Sequence, residues 1–463
     1  MTRPASAGEG RRPVVIGGGV AGLVAAWELA RAGRAPIVLE ASPAPGGTVA
    51  RHTVDGLDLD AGAESFATAT PAVAQLVSDL GLQDRVVSPN PAGAWVRHAA
   101  GAAPLPAGGL LGIPGRPLAA DVRRVLGTPG ALRAAVDRVL PRRTGTGPGT
   151  LGDLVRTRMG RRALDRLVAP VAGGVYSADP DGLETHSLNP RLLPALAEHG
   201  SLAAAVRALR GGAGARAGSA VAGLRGGMYS LVEALSAQIA GAGGEIRTGT
   251  PALALSRAGT AWQVSVAGAQ LLTDLVVLAT DAGPAAALLG PASAVTLPTD
   301  TTDVVLVTLV VVGPDLRAAP RGTGLLVAAD VPGIAAKALT HATAKWDWLA
   351  QAAGPDRHVL RLSYGRGDRT PDDGELPALA ARDAAALMGV PLGTVHATAL
   401  TRWSATVPRF GTGHRDTVRA LRAGLPPGLL AVGAHLAGTG LGAVVADARA
   451  AVAPLIASPS SQS

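Results

Sequence analysis

Cysteine is absent from this 463-residue chain. That excludes disulfides, thiolate metal sites and any cofactor tethered through a cysteinyl sulfur, and it suits a reducing, cytoplasmic compartment. Aromatic residues are scarce at 2%, and only two of the 42 basic residues are lysine, Lys337 and Lys345. The nine histidines are scattered, with no pair at zinc-ligand spacing and no HExxH, so no metal site is expected. No run of about 20 uncharged apolar residues occurs, and the stretch from Val304 to Gly313 has only strand length. The opening from Met1 to Arg12 is short, polar and glycine-rich, unlike a secretory signal.

What is present describes a folded enzyme-sized protein. Apolar residues make up 48% and charged residues 16% of a chain long enough for two or three domains and a large cofactor. The net charge of +8 comes mostly from arginines dispersed along the chain, so no nucleic-acid partner is read from it. A summed positive field suits a polyanionic substrate or an anionic membrane surface, and a compositional habit is the plainer account.

The first fifty residues predict a strand to Ile16, a glycine turn, a helix over Ala21 to Ala32 and a buried strand Ile37-Val38-Leu39. Gly17, Gly19 and Gly22 stand in GxGxxG spacing between strand and helix, which gives an otherwise weak motif its meaning. Gly17 permits the tight turn, Gly19 admits a pyrophosphate to the backbone, and Gly22 lets helix and strand pack closely. Phosphates then meet the positive end of the helix. Glu40 ends the second strand, positioned for ribose hydroxyls and unsuited to a 2′-phosphate.

Farther on, 109–210 is rich in helical signals and poor in strand signals, closed by the glycine-rich loop 211–218. Glu245 to Arg247, Trp262 to Val266 and Leu275 to Leu278 are expected to resume the sheet of the first domain. Val304 to Val312, Val359 to Ser363 and Val395 to Thr401 supply a second sheet, with a helix at Leu376 to Met388. Near the end, Leu429 to Val432 reads as a strand, and Leu441 to Ile456 as a helix opened by Gly438-Thr439-Gly440-Leu441. That turn offers a second set of backbone N–H groups and a second helix end. No second nicotinamide fingerprint follows a strand, because Gly212-Ala213-Gly214 follows a helix, so dioxygen is the expected electron acceptor.

The segment from Glu40 to Thr48, with its Gly46-Gly47 pair, resembles the stretch after the second strand of flavin amine oxidases and their relatives. A narrower resemblance runs over nearly the whole chain. Val168-Ala169-Pro170, the segment from Gly173 to Pro180, Gly226-Gly227-Met228-Tyr229 and Arg402-Trp403 with Pro408 and His414 are similar to the protoporphyrinogen and coproporphyrinogen III oxidases of haem biosynthesis. The resemblance implies non-covalent FAD held by Gly17, Gly18, Gly19, Val20, Ala21, Gly22, Glu40, Ala41, Thr48, Gly62, Ala63, Glu64, Ser65, Ala252, Trp403, Gly438, Thr439, Gly440 and Leu441. It also implies substrate contact at Gly174, Val175 and Tyr176. No catalytic side chain is named by it, since the flavin carries the chemistry.

The chain departs from that pattern in two places. Ala44 stands two places before the Gly-Gly pair, and Ala67-Thr68-Ala69-Thr70 follows Glu64-Ser65-Phe66, where many relatives carry basic residues. Arg97 becomes the nearest cationic candidate for a substrate carboxylate, with an ordinary surface arginine as its alternative.

The expected fold class is therefore α/β. A Rossmann-like, two-dinucleotide-binding-fold FAD domain (1–85, 222–295, 412–463) is joined by a mixed-sheet substrate domain (86–108, 296–411) and a helical subdomain (109–221) that contacts membranes in the family. The expected reaction is oxidation of coproporphyrinogen III to coproporphyrin III by dioxygen, releasing hydrogen peroxide. Its site is cytoplasmic or peripheral on the inner face of the cell membrane, with product passing to the next haem-pathway enzyme. Protoporphyrinogen IX is the alternative substrate. A flavin amine oxidase or a carrier without turnover are rival readings.

Overall fold

The computed structural model describes residues 11–147, 149–176, 178–210, 221–290, 297, 301–365, 371–408 and 413–457. The chain is α/β. Its nucleotide-binding part is built on five short parallel strands in the order Glu245–Arg247, Ile37–Leu39, Val14–Ile16, Val276–Leu278, Leu429–Ala431. The sequences VVI, IVL and VVL are buried at every position, as in a parallel sheet covered on both faces.

Alternation along these strands feeds two separate cores. Val15, Val38 and Val277 pack with the helices Val20–Arg31, Tyr229–Gly241 and Leu441–Ala457. Val14, Ile16, Val276 and Leu278 pack on the other side with Trp262, Val264, Val418 and Leu421.

One sequence expectation is corrected here. Trp262 to Val266 does not join the parallel sheet; it lies in an antiparallel meander of Ala254–Ala258, Ala261–Val266 and Ala269–Thr273. The reason is legible in its pattern. Trp262, Val264 and Val266 are buried in alternation with more open residues, the mark of a strand covered on one face, and turns with positive φ at Gly259 and Gly268 fold it back on itself.

The second sheet has seven strands, ordered Thr394–Pro408, Thr301–Val312, Arg357–Tyr364, Ala338–His341, Gly324–Val327, Trp95–His98, Gly101–Pro104. Every neighbouring pair is antiparallel except Gly324–Val327 with Trp95–His98. Helix Leu376–Met388 covers one face through Ala380, Ala384 and Leu387, packed with Val305, Val307, Leu360 and Leu362. On the opposite face the hairpin Arg51–Val54/Leu57–Asp60 covers one end, where Val54, Leu57 and Leu59 meet Val310 and Val359.

Among the described residues between 109 and 210, the regular elements are helices apart from the two-residue strands Gly109–Leu110 and Ile113–Pro114 and a single bridge between Thr150 and Glu184. The stretch Ala120–Ala135 is two helical pieces in succession, separated at Gly127, whose backbone (φ 70°, ψ 163°) is not helical, just before Pro129. At its end Asp137 and Arg158 form a fully buried ion pair, 2.5 Å between Oδ1 and Nε. Arg158 also donates to the carbonyls of Thr144 and Gly200, and Asp137 accepts the N–H groups of Leu202 and Ala203 at the start of helix Leu202–Leu209. One polar pair thus ties three segments together.

Candidate functional site

Because all five short strands are parallel, their carboxyl ends open on one edge. The neighbour that follows Val14–Ile16 in sequence lies on one side of it, and strands reached much later lie on the other. Such a switch point leaves a crevice at the strand ends, where ligands bind in open α/β sheets.

Gly17 turns out of the first strand at φ 110°, and a Cβ there would sit 2.6 Å from the Ala279 carbonyl oxygen. A Cβ on Gly22 would sit 1.9 Å from the Gly17 carbonyl oxygen, so helix and turn touch. Gly19 differs: a Cβ there would meet nothing within 4 Å. It caps helix Val20–Arg31 without a side-chain hydrogen bond, and the first turn, which includes Val20 and Ala21, holds no acidic residue. The helix end therefore faces open space with its positive pole uncompensated.

Glu40 binds this turn to the second strand. Its carboxylate accepts the Gly18 N–H at 2.7 Å, and the N–H and hydroxyl of Ser42 at 2.7 and 2.5 Å. Gly46 pairs with Gly19, donating to the Gly18 carbonyl at 2.8 Å. Ala41 lies exposed in the same loop. Thr250 donates to the Glu40 carbonyl, and Ala252, two residues on, is half-buried against the core that includes Leu39 and Leu278. Thr48 and Gly62 meet closely, since a Gly62 Cβ would lie 2.0 Å from the Thr48 carbonyl oxygen, and Ala63 donates to that same carbonyl.

The second helix end arrives at the same edge. A Cβ on Gly433 would be 3.8 Å from the Thr280 carbonyl oxygen, just beyond the strand that neighbours the glycine turn. Gly438 has φ 114°, Thr439 and Gly440 follow, and Leu441 opens helix Leu441–Ala457, again with no acid in its first turn. Thr70, in the segment that lacks a basic residue, packs on Gly442, with Oγ1 2.5 Å from where a Cβ would stand.

The register of the seven-stranded sheet explains how distant residues come together. Trp403 pairs with Val304, and Thr401, Leu306, Ser363, Ala338 and Leu326 pair in succession across five strands. Paired residues and their i±2 neighbours share a face, so this row, Trp403 and Arg361 all lie on the face away from helix Leu376–Met388. Leu306, Ser363, Ala338, Thr401 and Leu326 are half-buried in a sheet whose other face is closed by that helix, so they form a partly open strip. Gly174, in the irregular turn Ala172–Tyr176 with Val175, rests on the strip's far end: a Cβ there would lie 2.4 Å from Leu326 Cδ2. Arg97 does not join them. It pairs with Val327, one step from Leu326, and so points to the opposite face with Trp95.

At the near end of the strip lies a cluster that sequence reasoning missed. Arg361 donates to the Gly62 carbonyl at 2.6 Å and to Glu64 at 3.1 Å, and Lys345 reaches Glu64 at 2.5 Å. Ser65 follows directly and leads into strand Phe66–Ala67. Burial pulls the Glu64 carboxyl up, but Lys345 and Arg361 together bring it below the ordinary carboxylate range. Asp60, which accepts the Tyr229 N–H, is pushed up to about 6, chiefly by burial, and His52 is pushed down to about 4 by burial and then by Arg361. The Gly226-Gly227-Met228-Tyr229 motif thus sets the start of helix Tyr229–Gly241 on Asp60. A signal was available for one member, because Lys345 is one of only two lysines; Arg361 stands among dozens of arginines and had none.

Trp403 Nε1 and Arg361 Nε are buried without a hydrogen-bond partner among the described residues. Such atoms are costly unless a ligand or water meets them. Open space over Gly19, two helix ends with no acid in their first turns and unpartnered donors suit a large, flat, anionic cofactor.

Comparison with known proteins agrees with that description. Residues 20–453 match the family described as flavin containing amine oxidoreductase. The coproporphyrinogen III oxidase of Mycobacterium tuberculosis is 31% identical over 457 residues, covering 96% of each chain. That of Bacillus subtilis is 28% identical over 460 residues, covering 95% of this chain and 96% of the relative. The crystal structure of an Exiguobacterium protein provisionally named a protoporphyrinogen oxidase superposes with a TM-score of 0.85 at 26% identity, covering 97% of this chain and 99% of the other.

Proposed function

The chain belongs to the flavin containing amine oxidoreductase family, among its porphyrinogen oxidases, and from that membership we propose an FAD-dependent oxidation of coproporphyrinogen III to coproporphyrin III. The observation that carries this reading is the partly open strip from Thr401 through Leu306, Ser363 and Ala338 to Leu326. It crosses five strands, about 19 Å at ordinary strand spacing, and is bordered by Trp403 at one corner and Gly174 at the far end. A broad, mostly apolar floor of that kind suits a flat macrocycle.

The crevice residues fit the dinucleotide. Gly17 to Gly22 and Gly438 to Leu441 would hold the phosphates and ribityl chain on two helix ends, Glu40 would meet the ribose, and Ala252 would lie by the adenine. With no cysteine in the chain, attachment through a cysteinyl sulfur has no residue to use, and binding is non-covalent in this reading. When bound, the flavin accepts hydride from a carbon of the macrocycle. The chain's own contribution is positional: Trp403 and Gly62 to Ser65 border the ring system, Gly174 to Tyr176 cover the substrate, and the strip orients it with water excluded. Three rounds remove six electrons, and three dioxygen molecules become three hydrogen peroxide.

The helical region supports a second element of the proposal, contact with an anionic membrane surface. Leu132, Val136 and Val139 are exposed on successive turns beside Arg138 and Arg143. No helix among the described residues is long and apolar enough to cross a membrane.

The test is anaerobic incubation of flavin-loaded protein with coproporphyrinogen III and, separately, protoporphyrinogen IX. Flavin bleaching, then porphyrin fluorescence on admitting air, is expected with the first. Bleaching by the second alone would transfer the assignment to protoporphyrinogen, and bleaching by neither would overturn it.

A further inference from the structure

The ion cluster at the near end of the strip joins two parts of the molecule that the sequence keeps far apart. Gly62 to Ser65 belongs to the crevice, whereas Arg361 lies mid-strand in the seven-stranded sheet and Lys345 ends the short helix Ala342–Lys345. Arg361 spends one amino group on the Gly62 carbonyl and the other on Glu64, and Lys345 takes the remaining Glu64 oxygen. The side chains of Arg361, Glu64 and Lys345 are only 10%, 15% and 15% exposed. Ordinary surface ion pairs do not look like this.

Two cations share one carboxylate there, a surplus of positive charge in a poorly solvated place. Asp60, the other acid near Arg361, is bonded to the Tyr229 N–H and to neither cation, so above about pH 6, where it is ionised, it offsets the surplus only from a distance, and His52 is held neutral. A buried excess charge is costly unless a ligand answers it. Arg361 Nε and His52 Nε2 are both buried without a partner among the described residues, so the cluster has unspent hydrogen-bonding capacity as well as charge.

We propose that Arg361 and Lys345 are positioning residues for the flavin: through Glu64 and the Gly62 carbonyl they fix the cofactor segment to the substrate sheet, and their surplus charge favours the reduced, anionic cofactor. The inference rests on the flavin reading above and deepens it. Hydride arrives at the flavin with a pair of electrons, and a fixed cation nearby stabilises the negative charge that results without any reorganisation.

The experiment uses the full-length flavoprotein and three variants: Arg361→Met, Arg361→Lys and Lys345→Met. Two readouts do not depend on turnover: the dissociation constant of sulfite, which adds to oxidised flavin as an anion, and the equilibrium of flavin reduction against a reference dye. Arg361→Met should weaken sulfite binding by about tenfold or more and shift the dye equilibrium toward oxidised flavin. Arg361→Lys should recover most of both effects.

Lys345→Met leaves Glu64 paired with Arg361, so it keeps the test alive if Arg361→Met does not fold, and it should move both readouts in the same direction. Lys345→Met with both readouts within about twofold of the parent would overturn the proposal. So would an Arg361→Met protein that only melts earlier. A parent protein that takes up no flavin at all would instead overturn the cofactor reading.

Discussion

Arg97 and Leu326 stand one register step apart on neighbouring parallel strands and face opposite sides of the sheet. Charge alone makes Arg97 the candidate for a propionate, and strand alternation turns it away from the face that Gly174 touches. Arg97→Ala should therefore change KM for tetracarboxylate and dicarboxylate porphyrinogens by less than about twofold. Steady-state kinetics on both substrates check this, and a tenfold rise confined to the tetracarboxylate would return Arg97 to the substrate site.

The glycine turn yields a contrast between neighbours. Gly19→Ala adds a methyl group to open space, so the apoprotein should unfold within about 0.5 kcal/mol of the parent while flavin affinity falls sharply. Gly17→Ala must adopt φ 110° and push against the Ala279 carbonyl, so apoprotein stability itself should fall, by about 1–3 kcal/mol. Denaturant melts without cofactor, followed by flavin titration, separate the two. Equal losses of stability would mean that the space over Gly19 is not where the cofactor lies.

Much of this arrangement was legible from local pattern. Strand, glycine turn, helix and acid are consecutive, and each uses a different physical rule, so they reinforce one another. Gly438 to Leu441 could be recognised because a glycine turn again precedes an apolar helix. Trp262 misled because three apolar residues in alternation look alike in a meander and in a resumed sheet until the turn glycines at 259 and 268 are weighed. Arg361 and Asp60 were illegible for another reason: their meaning comes from partners about 300 and 170 residues away, Glu64 and Tyr229. No window of sequence contains such a pairing.

In the helical region the buried Asp137–Arg158 pair makes a stability prediction. Removing one partner strands a charge, so Asp137→Ala should cost about 3–5 kcal/mol. Replacing both by apolar residues should cost much less than the two single changes summed. A double-mutant cycle in urea measures this, and an additive result would show that the pair is not coupled.

Acid sensitivity should come in part from His341, buried with its Nε2 3.1 Å from His358 Nδ1. Burial and then His358 push its pKa down to about 3. The unfolded chain binds that proton at about 6.5 and the folded chain does not, so stability is present above pH 6.5 and is lost as pH falls from there toward 3. The loss from this group is about 1.4 kcal/mol per pH unit. His341→Gln should reduce the acid slope of unfolding free energy between pH 6.5 and 5 by about one proton's worth; an unchanged slope would assign the sensitivity elsewhere.

Leu132 and Val139, 56% and 81% exposed, offer a direct test of membrane contact. Cosedimentation with phosphatidylglycerol vesicles should exceed that with phosphatidylcholine, and Leu132→Asp with Val139→Asp should weaken it about tenfold or more. Equal binding to both lipids, or no effect of the double variant, would remove the helical stripe from the proposal.

The strand order of the parallel sheet bears on how the protein is made. Val14–Ile16 is among the first described elements to leave the ribosome, yet its neighbour Val276–Leu278 and the edge strand Leu429–Ala431 emerge far later. Until they do, the earliest glycine turn lacks the Ala279 carbonyl against which it is shaped, and the second helix end does not exist. On the proposed cofactor site, flavin capture thus waits on strands 276–278 and 429–431, so a chain cut before them should be left without flavin and exposed to proteolysis.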